Sequence, residues 1–283
     1  MKYFKFYLKH TAWYYFLWWL GLTTVACIPI FLFLPANLQS LWLNAVLIGG
    51  IGGMLFPITN RMLQFQKLLT EHNNPVQYLQ QTDILFRDMD LPVMLGRAGG
   101  GGNYCRVLVL NRVKAFCDLW QFEDALSVFR FLQNNAKHMT PINMAIIYHN
   151  LAFIYAQYND FSLAEYYFAQ ERTVWQTVHP ISKRRKMRMQ VLLTSTEATL
   201  ASRQGDFARA EPLYRQIEAH MQSQKRLQPA QKAGTAYEVG EMFFRMGNFS
   251  EAVPRLQFAA QYGGMTYCRA EAERLLSQIQ MGR

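Results

Sequence analysis

The sequence predicts an all-α protein: a two-helix transmembrane hairpin followed by a cytoplasmic α-solenoid of about four helix pairs. Three observations predict it. Two stretches, Thr11 to Leu34 and Leu38 to Ile58, hold no Asp, Glu, Lys or Arg. Basic residues flank both stretches, while the short connector between them is uncharged. The remainder carries one local pattern, Phe followed three residues later by Ala, in four separate places.

At a helical rise of about 1.5 Å per residue the two apolar stretches extend roughly 36 and 31 Å, and a hydrocarbon core is about 30 Å thick. Pro35, Ala36 and Asn37 join them, which makes residues 1–60 a tight hairpin. Lys2, Lys5 and Lys9 precede the first stretch and Arg61 and Lys67 follow the second. Positive flanks stay inside. Both termini are therefore expected in the cytoplasm, with a bacterial inner membrane as the location. Trp13, Tyr14, Tyr15, Trp18, Trp19 and Trp42 stand near the ends of the spans, where amphipathic rings favour the interface. A cleaved export signal also begins with a basic start and an apolar run. Here that run is too long, no small-x-small site closes it, and a second span follows directly. Gly49 and Gly53 in the second span have the spacing that lets helix backbones approach, within the hairpin or with subunits of a membrane complex.

Residues 61–104 read as a juxtamembrane helix and a Gly-rich linker. Met62, Phe65, Leu68 and Leu69 recur at helical spacing, and Asn73-Asn74-Pro75 ends that helix. Pro75 suits the first turn of another, because its φ is already helical. Gly99 to Gly102 reads as a flexible break. It is not a phosphate-binding loop, since Gly102 and Asn103 stand where Lys and Ser or Thr are required.

The net charge is +10, but residues 1–70 hold five basic and no acidic residues, so the remainder has 24 basic against 19 acidic, or +5. Anionic lipid accounts for so mild an excess, and no nucleic acid is expected. Cys27, Cys105, Cys117 and Cys268 are scattered, with no CxxC pair and no His at metal-ligand spacing. The six histidines are isolated, and no nucleophile elbow or paired carboxylates occur. The expectation is a non-enzyme without cofactor or metal.

Residues 105–283 hold the repeats. Trp120-Gln121-Phe122-Glu123-Asp124-Ala125, Asn159-Asp160-Phe161-Ser162-Leu163-Ala164, Gly205-Asp206-Phe207-Ala208-Arg209-Ala210 and Gly247-Asn248-Phe249-Ser250-Glu251-Ala252 share one layout. Four residues after each Ala comes Phe129, Phe168, Tyr214 or Leu256. This is the logic of a helix–turn–helix: Phe plugs the junction, Ala permits close approach, and the next large group fills the same face. The Phe positions recur at intervals of 39, 46 and 42 residues. With Tyr148, Leu151, Ala152 and Tyr155 before Phe161, the pattern resembles the tetratricopeptide repeat. Val239, Gly240 and Phe243 precede the fourth junction in the same way, Ala198 the third, and Arg112, Val113 and Phe116 the first. The family period is about 34 residues, so these repeats are longer. The stretch from Thr266 to Gln280 reads as a terminal cap.

The resemblance implies a protein or extended-peptide partner, bound along a concave surface made by the first helix of each pair. Asn111 and Asn150 fall at the position where peptide-binding relatives hydrogen-bond the ligand backbone, as an amide can both donate and accept. Neighbouring inward positions are Lys114, His149, Phe153, Arg203, Tyr237, Glu241 and Arg245. The chaperone-binding carboxylate clamp is not reproduced. Between repeats two and three, Lys183, Arg184, Arg185, Lys186 and Arg188 form a basic cluster suited to lipid or an acidic partner. The reading is a membrane-anchored adaptor or scaffold. Its alternative is a non-catalytic subunit of a larger membrane transport or secretion assembly, and an enzyme or peptide-sensing regulator is the third class.

Overall fold

The structure, a computed structural model, describes residues 63–87, 89–98, 100–177, 183–224 and 227–282. The two apolar stretches, with Gly49 and Gly53, lie outside the described residues. No helix among the described residues is long and apolar enough to cross a membrane. The protein is all-α, with no strand among the described residues. Residues 63–70 are helical, and the helices that follow are α1 (Pro75–Arg87), α2 (Leu91–Leu95), α3 (Gly100–Asp118), α4 (Phe122–Asn135), α5 (Pro141–Gln157) and α6 (Phe161–Thr177). Then come α7 (Lys183–Gln204), α8 (Phe207–Ser223), α9 (Pro229–Arg245), α10 (Phe249–Tyr262) and α11 (Tyr267–Met281). Contacts divide the chain into two compact units. The larger, Leu68–Asp83 with Leu91–Arg283, contains every helix pair and is described below; residues 63–67 and 84–90 belong to the other.

Consecutive helices pair, α3 with α4, α5 with α6, α7 with α8 and α9 with α10, and α11 lies against α10 and α9. One turn, built four times, makes the pairs. Trp120, Asn159, Gly205 and Gly247 end the first helices at φ of +63°, +60°, +83° and +74°. The next residue sends its amide back across the turn, Gln121 to the Phe116 carbonyl, Asp160 to Tyr155, Asp206 to Ala201 and Asn248 to Phe243, at 2.8–2.9 Å. That is the bond by which a left-handed residue closes a helix C-terminus. Asp160, Asp206 and Asn248 then cap the second helices, accepting from Leu163, Arg209 and Glu251 amides. Ala125, Ala164, Ala210 and Ala252, one turn on, are completely buried. The repeat is thus local turn chemistry followed by a close helix crossing. Gly240 keeps the α9–α10 crossing close: a Cβ there would lie 2.9 Å from Leu256 side-chain carbons. Replacing Ala164 or Ala210 with Leu is expected to overpack a crossing and cost about 1–3 kcal/mol, read as a lowered denaturant midpoint with no change of slope.

The first repeat breaks the turn rule twice. Trp120 occupies the left-handed position that Gly or Asn fills elsewhere, at a steric cost of about 1–2 kcal/mol for such a residue. Gln121 makes no side-chain cap.

The Gly-rich stretch differs from the flexible break the sequence suggests. Residues 100–102 are the first turn of α3. A Cβ on Gly102 would lie 2.1 Å from the Arg97 carbonyl oxygen, so glycine permits a backbone crossing here and not a swivel. The Arg106 guanidinium beneath it is 2% exposed and donates through Nη1 to the carbonyls of Leu95 (3.0 Å), Arg97 (2.8 Å) and Lys137 (3.2 Å). It collects chain ends that helices leave unsatisfied.

The segment before the repeats is docked on them. Asn73, buried at φ +44°, donates from its side-chain amide to the carbonyls of Ala230 (2.8 Å) and Tyr262 (3.1 Å), and its own carbonyl accepts from the Met265 amide (2.8 Å). Farther along, the Tyr78 hydroxyl, fully buried, donates to the Leu108 carbonyl at 2.9 Å, and Arg112 donates to Thr82 at 2.8 Å and pairs with Asp83. Residues 73–83 therefore hold both the first helix of the array and its last turn.

Candidate functional site

The first helices α3, α5, α7 and α9 carry the positions the sequence reads as inward, and most of the polar groups there are bonded to one another or to the fold. Asn111 is hydrogen-bonded to Tyr78, whose phenol is held well above its usual range by burial, with Asn111 opposing. The Asn150 side chain donates to the Ile146 carbonyl of its own helix at 2.7 Å. Lys114 pairs with Asp118 one turn on. Arg203 on α7 pairs with Glu241 on α9 at 2.9 Å, and both are largely buried. Arg245 donates to the Ser202 carbonyl at 2.8 Å and lies over the Phe207 ring at 5.2 Å. The cations expected to greet a partner are thus already matched within the array.

Two carboxyl groups packed among these helices sit away from ordinary chemistry. Glu171 on α6 is fully buried and accepts from Thr196 on α7 at 3.0 Å, with the Trp175 indole at 3.5 Å. Burial pushes its carboxyl up to about 7, against the pull of those two donors. His149 brings Nδ1 to 2.7 Å from the same Thr196 oxygen and 3.8 Å from Glu171, and burial lowers its imidazole to about 4. A hydroxyl has one proton to give. With Glu171 ionised, Thr196 donates to it and His149 donates Nδ1–H to Thr196; with Glu171 protonated, the carboxyl donates to Thr196 and Thr196 can donate to Nδ1. One turn along α7, Thr199 and Tyr214 bond Glu238, whose carboxyl burial likewise raises to about 7, with Arg203 opposing. Neither residue type nor spacing reveals these carboxyls: Glu171 lies on a second helix, and Glu238 follows Tyr237 with nothing in the sequence to mark it.

Aromatic rings form the other part of the surface. The predicted Phe153 and Tyr237 are its two ends, joined through residues that sequence reasoning misses. Phe153 meets Phe122 at 6.1 Å, Phe122 meets Trp120 at 4.6 Å and Tyr158 at 5.6 Å, Trp120 meets Tyr267 at 4.3 Å, and Tyr267 meets Tyr237 at 5.4 Å. The signal that could have found them is Trp120, standing in a turn position that elsewhere takes Gly or Asn.

The basic cluster opens α7 at Lys183, with Lys186 exposed. Side chains of Lys183, Arg184, Arg185 and Arg188 lie outside the described residues. Within the next two turns a cavity of about 250 Å3 opens between α7 and α8, lined among others by Met187, Val191, Thr194, Ile217 and His220. Comparison with protein-family models, curated proteins and solved structures finds no match.

Proposed function

We propose that this chain is a membrane-anchored adaptor whose tetratricopeptide-like array holds a partner protein by its inner surface. The hairpin of residues 1–60 is its anchor, the termini are cytoplasmic, and the partner offers an extended segment. One observation carries the reading: four helix pairs share the same left-handed turn residue, the same closing amide bond and the same buried alanine, an arrangement that favours equivalent faces on successive first helices. Inner-face groups bonded to one another form a preordered surface, which lowers the entropy lost on binding.

Asn150 and Lys114 are the positions to test, because among the described residues the side chain of each is bonded within its own helix and supports no other element. The full chain, purified in mild detergent, is compared with an N150A/K114A double variant for the proteins that co-purify. The expected result is a partner depleted about five- to 100-fold, from hydrogen bonds worth about 0.5–1.5 kcal/mol each, with the fold retained and the melting midpoint lowered only by the lost Lys114–Asp118 pair. Equal recovery in both would overturn the inner-face reading in favour of the alternative, a subunit held through its membrane segments, Gly49 and Gly53 included.

A further inference from the structure

The first repeat keeps the left-handed turn and its closing bond but gives up both residue choices that ease the others, and what it places there is a tryptophan. Three turns use Asn159, Gly205 or Gly247 in the left-handed position, where those residues sit with little strain, and follow it with a capping Asp or Asn. Backbone strain held at one of several equivalent positions points to a role outside the turn. Trp120 is 41% exposed, as is 44% of Tyr158, and the buried Phe122 lies between them. With Phe153, Tyr267 and Tyr237 the rings make one ribbon drawn from α4, α5, α9, α11 and the α3–α4 and α5–α6 turns.

The charge around the ribbon has a sign. Its cations are taken: Lys114 by Asp118, Arg203 by Glu241 and Arg274 by Glu271. Among the described residues, Glu123 and Asp124 have no ion-pair partner, and the Glu123 carboxylate accepts from the Tyr158 hydroxyl at 2.8 Å. We propose that this ribbon docks a basic extended segment of the partner protein, with a Lys or Arg side chain on the exposed rings of Trp120 and Tyr158 and Glu123 and Asp124 as counter-charges. Aromatic faces attract cations, and arginine in particular stacks on them. The uncompensated carboxylates add an attraction that salt screens. The inference rests on the adaptor reading and specifies the chemistry of its partner.

The test uses the full chain in a neutral detergent and three labelled nonapeptides: oligoarginine, oligoglutamate and a Gly-Ser peptide. Binding is followed by fluorescence anisotropy at low and high salt, for wild type, Trp120→Gly, Trp120→Asn and the E123Q/D124N double variant. Gly and Asn serve the same turn in other repeats, so both tryptophan variants should keep the melting midpoint close to wild type. Wild type should prefer oligoarginine to either other peptide. Both tryptophan variants should weaken it about three- to 30-fold at either salt. E123Q/D124N should weaken it at low salt, with the difference shrinking at high salt. Equal oligoarginine affinity in wild type and Trp120→Gly, tighter binding of oligoglutamate, or a collapsed midpoint in both tryptophan variants would each overturn the proposal. Its failure is separable from that of the adaptor reading: a co-purifying partner that still depends on Asn150 and Lys114 leaves that reading standing. No such partner sinks that reading whatever the peptides do.

Discussion

Replacing Arg106 with methionine is expected to lower the stability of the repeat unit by about 3–5 kcal/mol, more than overpacking a helix crossing does. The side chain is of similar length and fills much of the same space, so lost volume is a minor part. What goes is a set of charge-assisted bonds from one buried nitrogen to the carbonyls of Leu95, Arg97 and Lys137. The Leu95 carbonyl loses its partner while staying buried, the Arg97 and Lys137 carbonyls lose theirs in part-buried positions, and the methionine leaves the rest of the buried site with no polar group to match them. Gly102→Ala should strike the same node from above by forcing the Arg97 carbonyl away from the new Cβ. Because both changes break the Arg97 contact, the double variant should cost less than the two singles added together. Chemical denaturation of the four chains, followed by helical circular dichroism, measures this. Additive losses would show that Arg106 and Gly102 act independently.

The second large effect is on pH. The Glu171 carboxyl has an ordinary value of 4.5 and about 7 in the fold. A folded-state value raised above the unfolded one makes the group's contribution full below about 4.5 and lost as pH rises through about 7, a change of about 3 kcal/mol between those limits. Glu238, raised to about 7 as well, acts in the same direction. His149 acts in the opposite sense: its imidazole, lowered to about 4 from 6.5, is stabilising above about 6.5 and loses that contribution as pH falls towards 4. Two groups against one predict a unit that is more stable near pH 5 than near pH 8. E171Q keeps the shape, stays neutral, and can still accept from Trp175 and pair with Thr196. It should match wild type near pH 5 and exceed it by up to about 3 kcal/mol near pH 8, with Glu238 and the opposing His149 together giving the remaining slope. Denaturation curves at a series of pH values decide it, and an E171Q curve parallel to wild type throughout would remove Glu171 as the cause.

What the sequence makes legible is what is written locally. Phe three residues before Ala, preceded by Gly or Asn and a capping Asp or Asn, specifies a turn from six neighbouring residues, and those turns are where the structure has them. The all-α class follows from the same signals. The start of α3 is not legible, because Gly100 to Gly102 reads as a break unless the Arg97 carbonyl and Arg106 are known to lie against it. Docking of residues 73–83 is hidden for a similar reason: Asn73-Asn74-Pro75 announces the end of a helix but not that Asn73 will bond Ala230 and Tyr262. At the candidate site, periodicity places Arg203, Glu241 and His149 on one surface. It does not show that Arg203 and Glu241 neutralise each other, or that His149 reaches Glu171 through Thr196, since those are pairings between helices.

The bonds made by Asn73 also set an order of events. A stack of helix pairs can assemble from the first pair onward, each turn forming as soon as its own residues exist. Asn73 cannot follow that schedule, because one of its acceptors, Tyr262, is 189 residues away. At a synthesis rate of about 5–20 residues per second, roughly 10–40 s separate the appearance of the two on the ribosome. Through that interval the early helices exist without their tie to the last turn, and the Asn73 side chain waits in contact with water. Closure is then the final step in the birth of the chain, and a nascent protein stalled before Tyr262 carries a repeat array that has not yet been fastened.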